Sequence, residues 1–434
     1  MKIKLRKRLS APGLLEAVRV RFHRIKDPLS GKTKYPLGDC LMSGLAMFGL
    51  KYRSLLQFEQ SHRVDELVRH NLESLYGVEQ VPSDTYMRER LDELEPKQLY
   101  PAFKACFSAV QRGKQLPLYQ FFDDYYLVSS DGTGFFYSET VHCENCCEKN
   151  HRDGRKSYYH QMMCAVMVHP SQSTVLPLIL EPILKQDGET KNDCEQNGSK
   201  RLLTTLRNMH PKLKMVIVED ALYSNAPHIT LLESLKYKYM IGVKPDSHKW
   251  LFDWVNTGHC ESIRLSRDGY HYEFRWFNDA PLNDSQSEMR VNFFECIETS
   301  PKGKKQTFTW ITNFKITESN IYELMRGARS RWKIENETFN TLKTQGYNFE
   351  HNYGHGYKNL STIMGYLMML AFLIDQIQQL CCPSFQAALK KCEKRIRLWE
   401  KMRNWFLTFF IDSWEAFFAA IAVPPHFRLR VDTG

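Results

Sequence analysis

The chain has 434 residues, 43% hydrophobic and 25% charged, with twelve cysteines and a formal net charge of +10. These values exclude wholesale disorder and leave room for two or three domains of roughly 100–200 residues each. The irregularly placed cysteines argue for a reducing cytoplasm over a disulfide framework, and the longest apolar run, 363–374, falls short of the roughly 20 helical residues that span a bilayer.

Residues 1–115 read as a helical, DNA-binding region. Five of the first eight residues are basic, without the apolar core of a secretion leader, and Arg19, Arg21, Arg24 and Lys26 follow. A second basic cluster runs from Lys390 to Arg403. Such clusters suit nucleic acid; a solvated surface is the alternative. Cys40–Leu50 is apolar, and Ser54–Leu67 mixes apolar and charged positions at helical spacing. In VPSDTYMRERLDEL (81–94), Pro82 with Ser83 or Asp84 starts a helix that carries Thr85, Arg88 and Arg90 near its N-terminus. That helix either enters a major groove or is an ordinary amphipathic helix.

From residue 116 the pattern turns to short β runs. Tyr125–Ser130 leads into a turn, Asp131-Gly132-Thr133-Gly134, with Phe135–Tyr137 beyond it; Tyr158–Val168 and Thr174–Leu184 are the next strands. Asn192–Glu195 opens an amphipathic helix, with Glu195 placed for a capping box and Leu202, Leu203, Leu206 and Met209 as its stripe; its two acids, Asp193 and Glu195, either cap the helix or take part in chemistry. MVIVE is a buried strand that ends at Asp220, and a helix over Pro227–Leu235 leads to a strand over Lys238–Val243. This β-β-β-α-β-α-β order over 116–244 implies an α/β fold, a mixed sheet with helices on its faces. Residues 245–315 interrupt it with β runs at 270–277, 289–298 and 307–314. A single long helix, Glu318–Lys343, opens the segment 316–380, and 381–434 reads as a helical C-terminal region.

Asp131 and Asp220 come from strands that are natural neighbours in such a sheet, and ligands collect beyond strand ends where the order switches. Gly132 and Gly134, which follow it, let the chain bend at Asp131. Two close carboxylates favour a divalent cation; Mg2+, with Mn2+ as a substitute, is held by one or two carboxylates plus substrate phosphates. Glu335, within RSRWKIENETFNTLK (329–343), is the candidate third ligand for a site of two ions about 3.5–4 Å apart. Arg331 lies four residues before Glu335, where it can meet phosphate together with Lys343, whereas Glu337 points away. Any one of these acids alone reads as a surface acid.

SDGTGFF around Asp131, VIVEDALY around Asp220 and RWKIENETFNTLK around Glu335 resemble the motifs of DDE transposases of bacterial insertion sequences, in the group with a β-rich insertion before the last glutamate. The resemblance covers about residues 40–380. It implies an RNase H-like core, a catalytic triad of Asp131, Asp220 and Glu335 holding two Mg2+ ions, cleavage of double-stranded DNA at element ends, and transfer of the 3′ ends to a target. A homodimer in the synaptic complex and a nucleoid-associated, membrane-free setting go with it. The group's signature has a tyrosine three residues before the arginine and a lysine seven after the glutamate. Here Ala328 and Leu342 stand at those positions, with Tyr322 and Lys343 displaced, so contacts to the DNA end and any hairpin step depart from the pattern. A nuclease of the same fold without strand transfer, and an inactive DNA-binding regulator, are the rival readings.

HCENCCEKNH (142–151) offers Cys143, Cys146, Cys147 and His151 to a structural Zn2+, with reduced structural thiols as the alternative and His160 as an added ligand if the turn folds back. His351 and His355, in the loop after Glu335, either touch phosphate or a metal, or face solvent. Tyr272, Trp276 and Trp310 either stack on an unpaired base, at about 1–3 kcal/mol per base, or belong to the core. The apolar C-terminal helices, 359–380 and 403–423, either support a dimer or close the core.

Overall fold

The computed structural model describes residues 6–29, 33–185, 192–284 and 287–425, with no side-chain description at 62–64. Lys2 and Lys4 of the basic start, and Lys191, lie outside the described residues. Ten strands form one sheet: β1 (Tyr126–Ser138), β2 (Cys147–Asn150), β3 (Lys156–Val168), β4 (Leu176–Ile183), β5 (Met215–Glu219), β6 (Lys238–Gly242), β7 (Glu261–Arg267), β8 (Tyr270–Pro281), β9 (Arg290–Thr299) and β10 (Lys305–Thr312).

β1 pairs antiparallel with β3, and β3 antiparallel with β4; β1 pairs parallel with β5, and β5 parallel with β6. With the short β2 set aside, the order β4-β3-β1-β5-β6 is that of an RNase H-like core. MVIVE is buried at every position, as a central parallel strand covered on both faces must be. β10 then pairs antiparallel with β6, and β9, β8 and β7 follow outward. The interrupting segment therefore extends the same sheet and covers the edge that β6 would otherwise expose.

Helices enclose the β3–β4 side. The 22-residue helix Leu360–Cys381 is long and apolar enough to cross a membrane, but its apolar stretch is buried inside the protein, with Gln379 and Leu380 half-buried near its end. The apolar run expected to be too short for a bilayer thus continues into a longer helix, and that helix is the centre of the core. Leu37–Gly49 packs against it, and Gly44 permits the close approach: a Cβ there would come within 2.8 Å of Leu367 Cδ1. Asp92, at the end of the helix Asp84–Asp92, accepts from the backbone N–H groups of Lys358, Asn359 and Leu360 at 3.0, 2.9 and 2.8 Å. One continuous hydrophobic core runs from Leu9 to Ile421.

Three expectations about elements change. β1 passes through Asp131 without a turn, because residues 131–134 keep their pairing to β3 and only a bulge between Gly134 and Phe136 shifts the register. The single helix 318–343 is instead a helix Ile321–Arg329, a turn, a π-helical stretch Ile334–Phe339 and a last helix Asn340–Thr344. The hydroxyl of Ser330 returns to the Arg326 carbonyl at 3.0 Å, a local bond that competes with helix continuation. The span 403–423 divides into the end of Arg395–Phe406 and a separate helix Trp414–Ala422.

Candidate active site

β1 and β5 are in parallel register with Ser129 opposite Val218. Continuing both strands by two residues sets Asp131 level with Asp220. There β5 ends, while β1 continues against β3 with Asp131 opposite Cys164, which leaves a notch at the strand end. Asp220 is exposed, and its Oδ1 accepts from Leu222 N–H at 2.9 Å, capping the turn Ala221–Tyr223. Behind it Glu219 is buried, with one carboxylate oxygen 2.6 Å from His228 Nε2 and the other accepting from Ser199 Oγ at 3.2 Å. These bonds anchor the strand end from inside.

Asp131 Oδ1 accepts from Gly132 N–H at 2.9 Å, and Oδ2 from Arg331 Nη1 at 3.2 Å. The other arm of Arg331 reaches Glu335 Oε1 at 2.6 Å. The carbonyl of Arg331 accepts from Ser129 Oγ at 3.2 Å, so this residue is tied to β1 by backbone and side chain together. One guanidinium thereby bridges two acids from opposite ends of the core. Burial pushes the Asp131 carboxyl up to about 6; Arg331 and the Gly132 N–H oppose the rise, while Glu335 and Asp220 add to it.

A fourth acid belongs here. Glu195 does not cap its helix: Cys194 is the N-cap residue and makes no side-chain cap bond. Asn192 instead accepts from Glu148 N–H, and Asp193 takes Arg201. The Glu195 carboxylate lies against Gly132, where a Cβ would come within 2.5 Å of its Oε1. Gly132 is therefore needed for close approach, not for a bend. Burial raises the Glu195 carboxyl above its ordinary range, and Asp220 adds to the rise. The local sequence fits capping and chemistry alike; the sheet order is what brings Glu195 against Gly132, next to Asp131.

Several DNA-binding expectations meet different surroundings. Arg90 is buried and ion-paired with Asp27, so it belongs to the core of the helical region and reads no groove. Arg88 is half-exposed but paired with Asp84. Lys343 Nζ is engaged by Glu350 at 2.7 Å. Trp310 is buried, its ring stacked on Phe294 at 5.0 Å and Phe308 at 5.7 Å, and Tyr272 and Trp276 are buried as well. Although Trp310 also lines the groove beside Asp220, none of these buried rings is a free platform. Trp332 is: 47% exposed, it sits beside Arg329 and edge-on to Phe308 on a groove that also includes Asp220, Lys244 and Arg331. In the second basic cluster Arg397 pairs with Glu393 and Arg403 donates to the Lys51 carbonyl, while Lys390, Lys391 and Lys394 are exposed.

The cysteine-rich segment also rearranges. Cys147 Sγ turns to the Ile183 carbonyl at 3.5 Å, and His151 Nε2 lies 2.9 Å from Ser157 Oγ, so neither joins a ligand cluster. Cys143 and Cys146 gather with His160 and His355. His351 is exposed.

Among known families, one described as Transposase DDE domain matches residues 138–373, more than half of the chain. The match includes Asp220 and Glu335 and begins just after Asp131. A solved piggyBac transposase synaptic complex with hairpin DNA shares 9% identity at a TM-score of 0.41, covering 97% of this chain and 82% of that one. A likeness that loose bears on neither register nor mechanism. No curated protein matches the chain.

Proposed function

Because the chain belongs to the transposase DDE-domain family, we propose that it cleaves double-stranded DNA at the ends of its own mobile element and joins the freed 3′ ends to a target. The observation that carries this reading is the meeting of Asp131, Asp220 and Glu195 at one strand end, with Glu335 brought to Asp131 by Arg331.

The donor set fits a hard divalent cation. It is all carboxylate oxygen, with no thiol or imidazole; burial is the main reason that the Asp131 and Glu195 carboxyls are raised, and the neighbouring acids add to it, a charge that a divalent cation would offset. Asp131, Asp220 and Glu335 would hold Mg2+ or Mn2+, with Glu195 completing the acidic wall. Ions bound there activate an attacking oxygen and neutralise a leaving one. Arg331 keeps Asp131 and Glu335 together and faces the groove in which phosphate would lie. Trp332, with Phe308 and Arg329 behind it, offers a ring for an unpaired base at the cut end. Arg8, Arg21, Lys104 and Arg112 line a separate groove on the N-terminal helices that suits flanking duplex. Joining two ends calls for two copies of the chain, which makes a homodimer the working assembly.

The test uses oligonucleotide ends of the flanking element. Wild type is expected to cut with Mg2+ or Mn2+ and to join a pre-cut 3′-OH end to a target duplex. Asp131→Asn and Asp220→Asn are expected to lose about a thousandfold in rate while still binding DNA, in keeping with several kcal/mol of charge stabilisation. Cutting without joining would give the nuclease reading instead, and binding without metal-dependent cutting the regulator.

A further inference from the structure

Cys143 and Cys146 lie between β1 and β2, His160 within β3, and His355 on the loop between the Glu335 segment and the central helix Leu360–Cys381. The two sulfurs are 3.8 Å apart, each is 3.4 Å from His160 Nε2, and Cys146 Sγ is 3.3 Å from His355 Nε2. All four atoms lie within 4.8 Å of one another. A tetrahedral zinc with bonds of about 2.3 Å to sulfur and about 2.0–2.1 Å to nitrogen has S···S edges near ~3.8 Å and S···N edges near ~3.5 Å. The four short edges here match those lengths to within about 0.3 Å. A thiol–imidazole hydrogen bond would account for one such contact, but not for four around a common centre.

We propose that Cys143, Cys146, His160 and His355 bind one structural Zn2+. Two thiolates and two neutral imidazoles cancel the charge of the ion, which suits a site where all four residues are buried. The soft donors select against Mg2+ and Ca2+. No side of the cluster is open to substrate, which marks a structural site rather than a catalytic one. Both imidazoles have a buried Nδ1 with no hydrogen-bond partner among the described residues, so there only the cluster side of each ring makes polar contacts. Phe135 stacks on His160 at 5.7 Å and Phe136 lies 4.3 Å from His355, which fixes the ring planes.

The ion would staple the loop that follows Glu335 to β3 and to the connection between β1 and β2. Asn145 Nδ2 reinforces the same junction by donating to the Lys358 carbonyl at 3.0 Å. The site thus holds the two halves of the core together at the end away from the acids.

Elemental analysis of the full chain, purified without chelators, tests this. About one zinc per chain is expected. Cys146→Ser and His355→Ala should each fall below a tenth of that, while Cys147→Ser keeps it. Cobalt added to metal-free wild type should give the visible bands and sulfur-to-metal charge transfer of a tetrahedral Cys2His2 site, a readout that stands even if a variant fails to fold. Wild type with less than a tenth of a zinc and no such spectrum would overturn the proposal, as would Cys147→Ser losing zinc as fully as Cys146→Ser. None of these readouts depends on DNA cleavage.

Discussion

The acidic notch and the Cys/His pocket both hang from β1 and β3, yet they are opposite kinds of site. At the notch Asp220 is exposed and the Glu335 side chain is 49% exposed, with a groove alongside. At the pocket His160 is 1% and Cys146 1% exposed, walled by Phe135 and Phe136. Hard oxygen donors in an open notch suit ions that come and go with phosphate; soft donors in a closed pocket suit one that stays. β1 and β3 can serve both because their surroundings change along their length: Asp131, in mid-strand, lies level with the open end of β5, and His160 lies beneath the loop that precedes the central helix.

The largest effect expected at one site alone is from Glu335→Gln. Metal-dependent cleavage should fall about a thousandfold, with zinc content and DNA binding unchanged; loss of zinc in the same variant would erase the contrast between the sites. Next is Glu195→Gln, for which the Mn2+ concentration needed for half-maximal cleavage should rise by about 10–100-fold, the range for groups that support a metal site. An unchanged metal requirement would remove Glu195 from the notch. Trp332→Ala should weaken binding of an unpaired end by about 1–3 kcal/mol while leaving duplex affinity as it was, measured by fluorescence anisotropy on the two substrates.

The smallest effect concerns pH. The folded Asp131 carboxyl, at about 6, lies above its unfolded value, so its charged form is disfavoured in the native state. Its contribution to stability is therefore favourable below the unfolded value and declines as pH rises through about 6. With chelator present, melting temperature should drop between pH 5 and 7 more steeply in wild type than in Asp131→Asn, and Mn2+ should raise it more at pH 7 than at pH 5. Equal slopes would show that Asp131 carries no such strain.

Much of the catalytic half was legible in the sequence. Asp220 after a five-residue apolar strand, and the neighbouring placement of the strands that carry Asp131 and Asp220, follow from local hydrophobic runs and connection lengths. The turn at Asp131 was misread because DGTG has the composition of a turn; pairing with β3 on one side and close approach by Glu195 on the other keep it extended. The helix around Glu335 carries a continuous apolar period, which does not reveal the break at residues 330–333 or the π-helical stretch after it.

The sequence by itself determined most of the element types and the mixed sheet, and it singled out Asp131, Asp220 and Glu335 as candidates, since each rests on neighbours a few residues away along the chain. Only the tertiary structure decided which side chains share a site. His355 is 209 residues from Cys146, and Arg331 is 200 residues from the Asp131 it pairs with. Arg90 looks like an exposed basic residue until Asp27 buries it, and Trp310 looks like a free ring until Phe294 and Phe308 enclose it. Burial and ligation are properties of surroundings, and surroundings come from chain segments that local pattern cannot bring together.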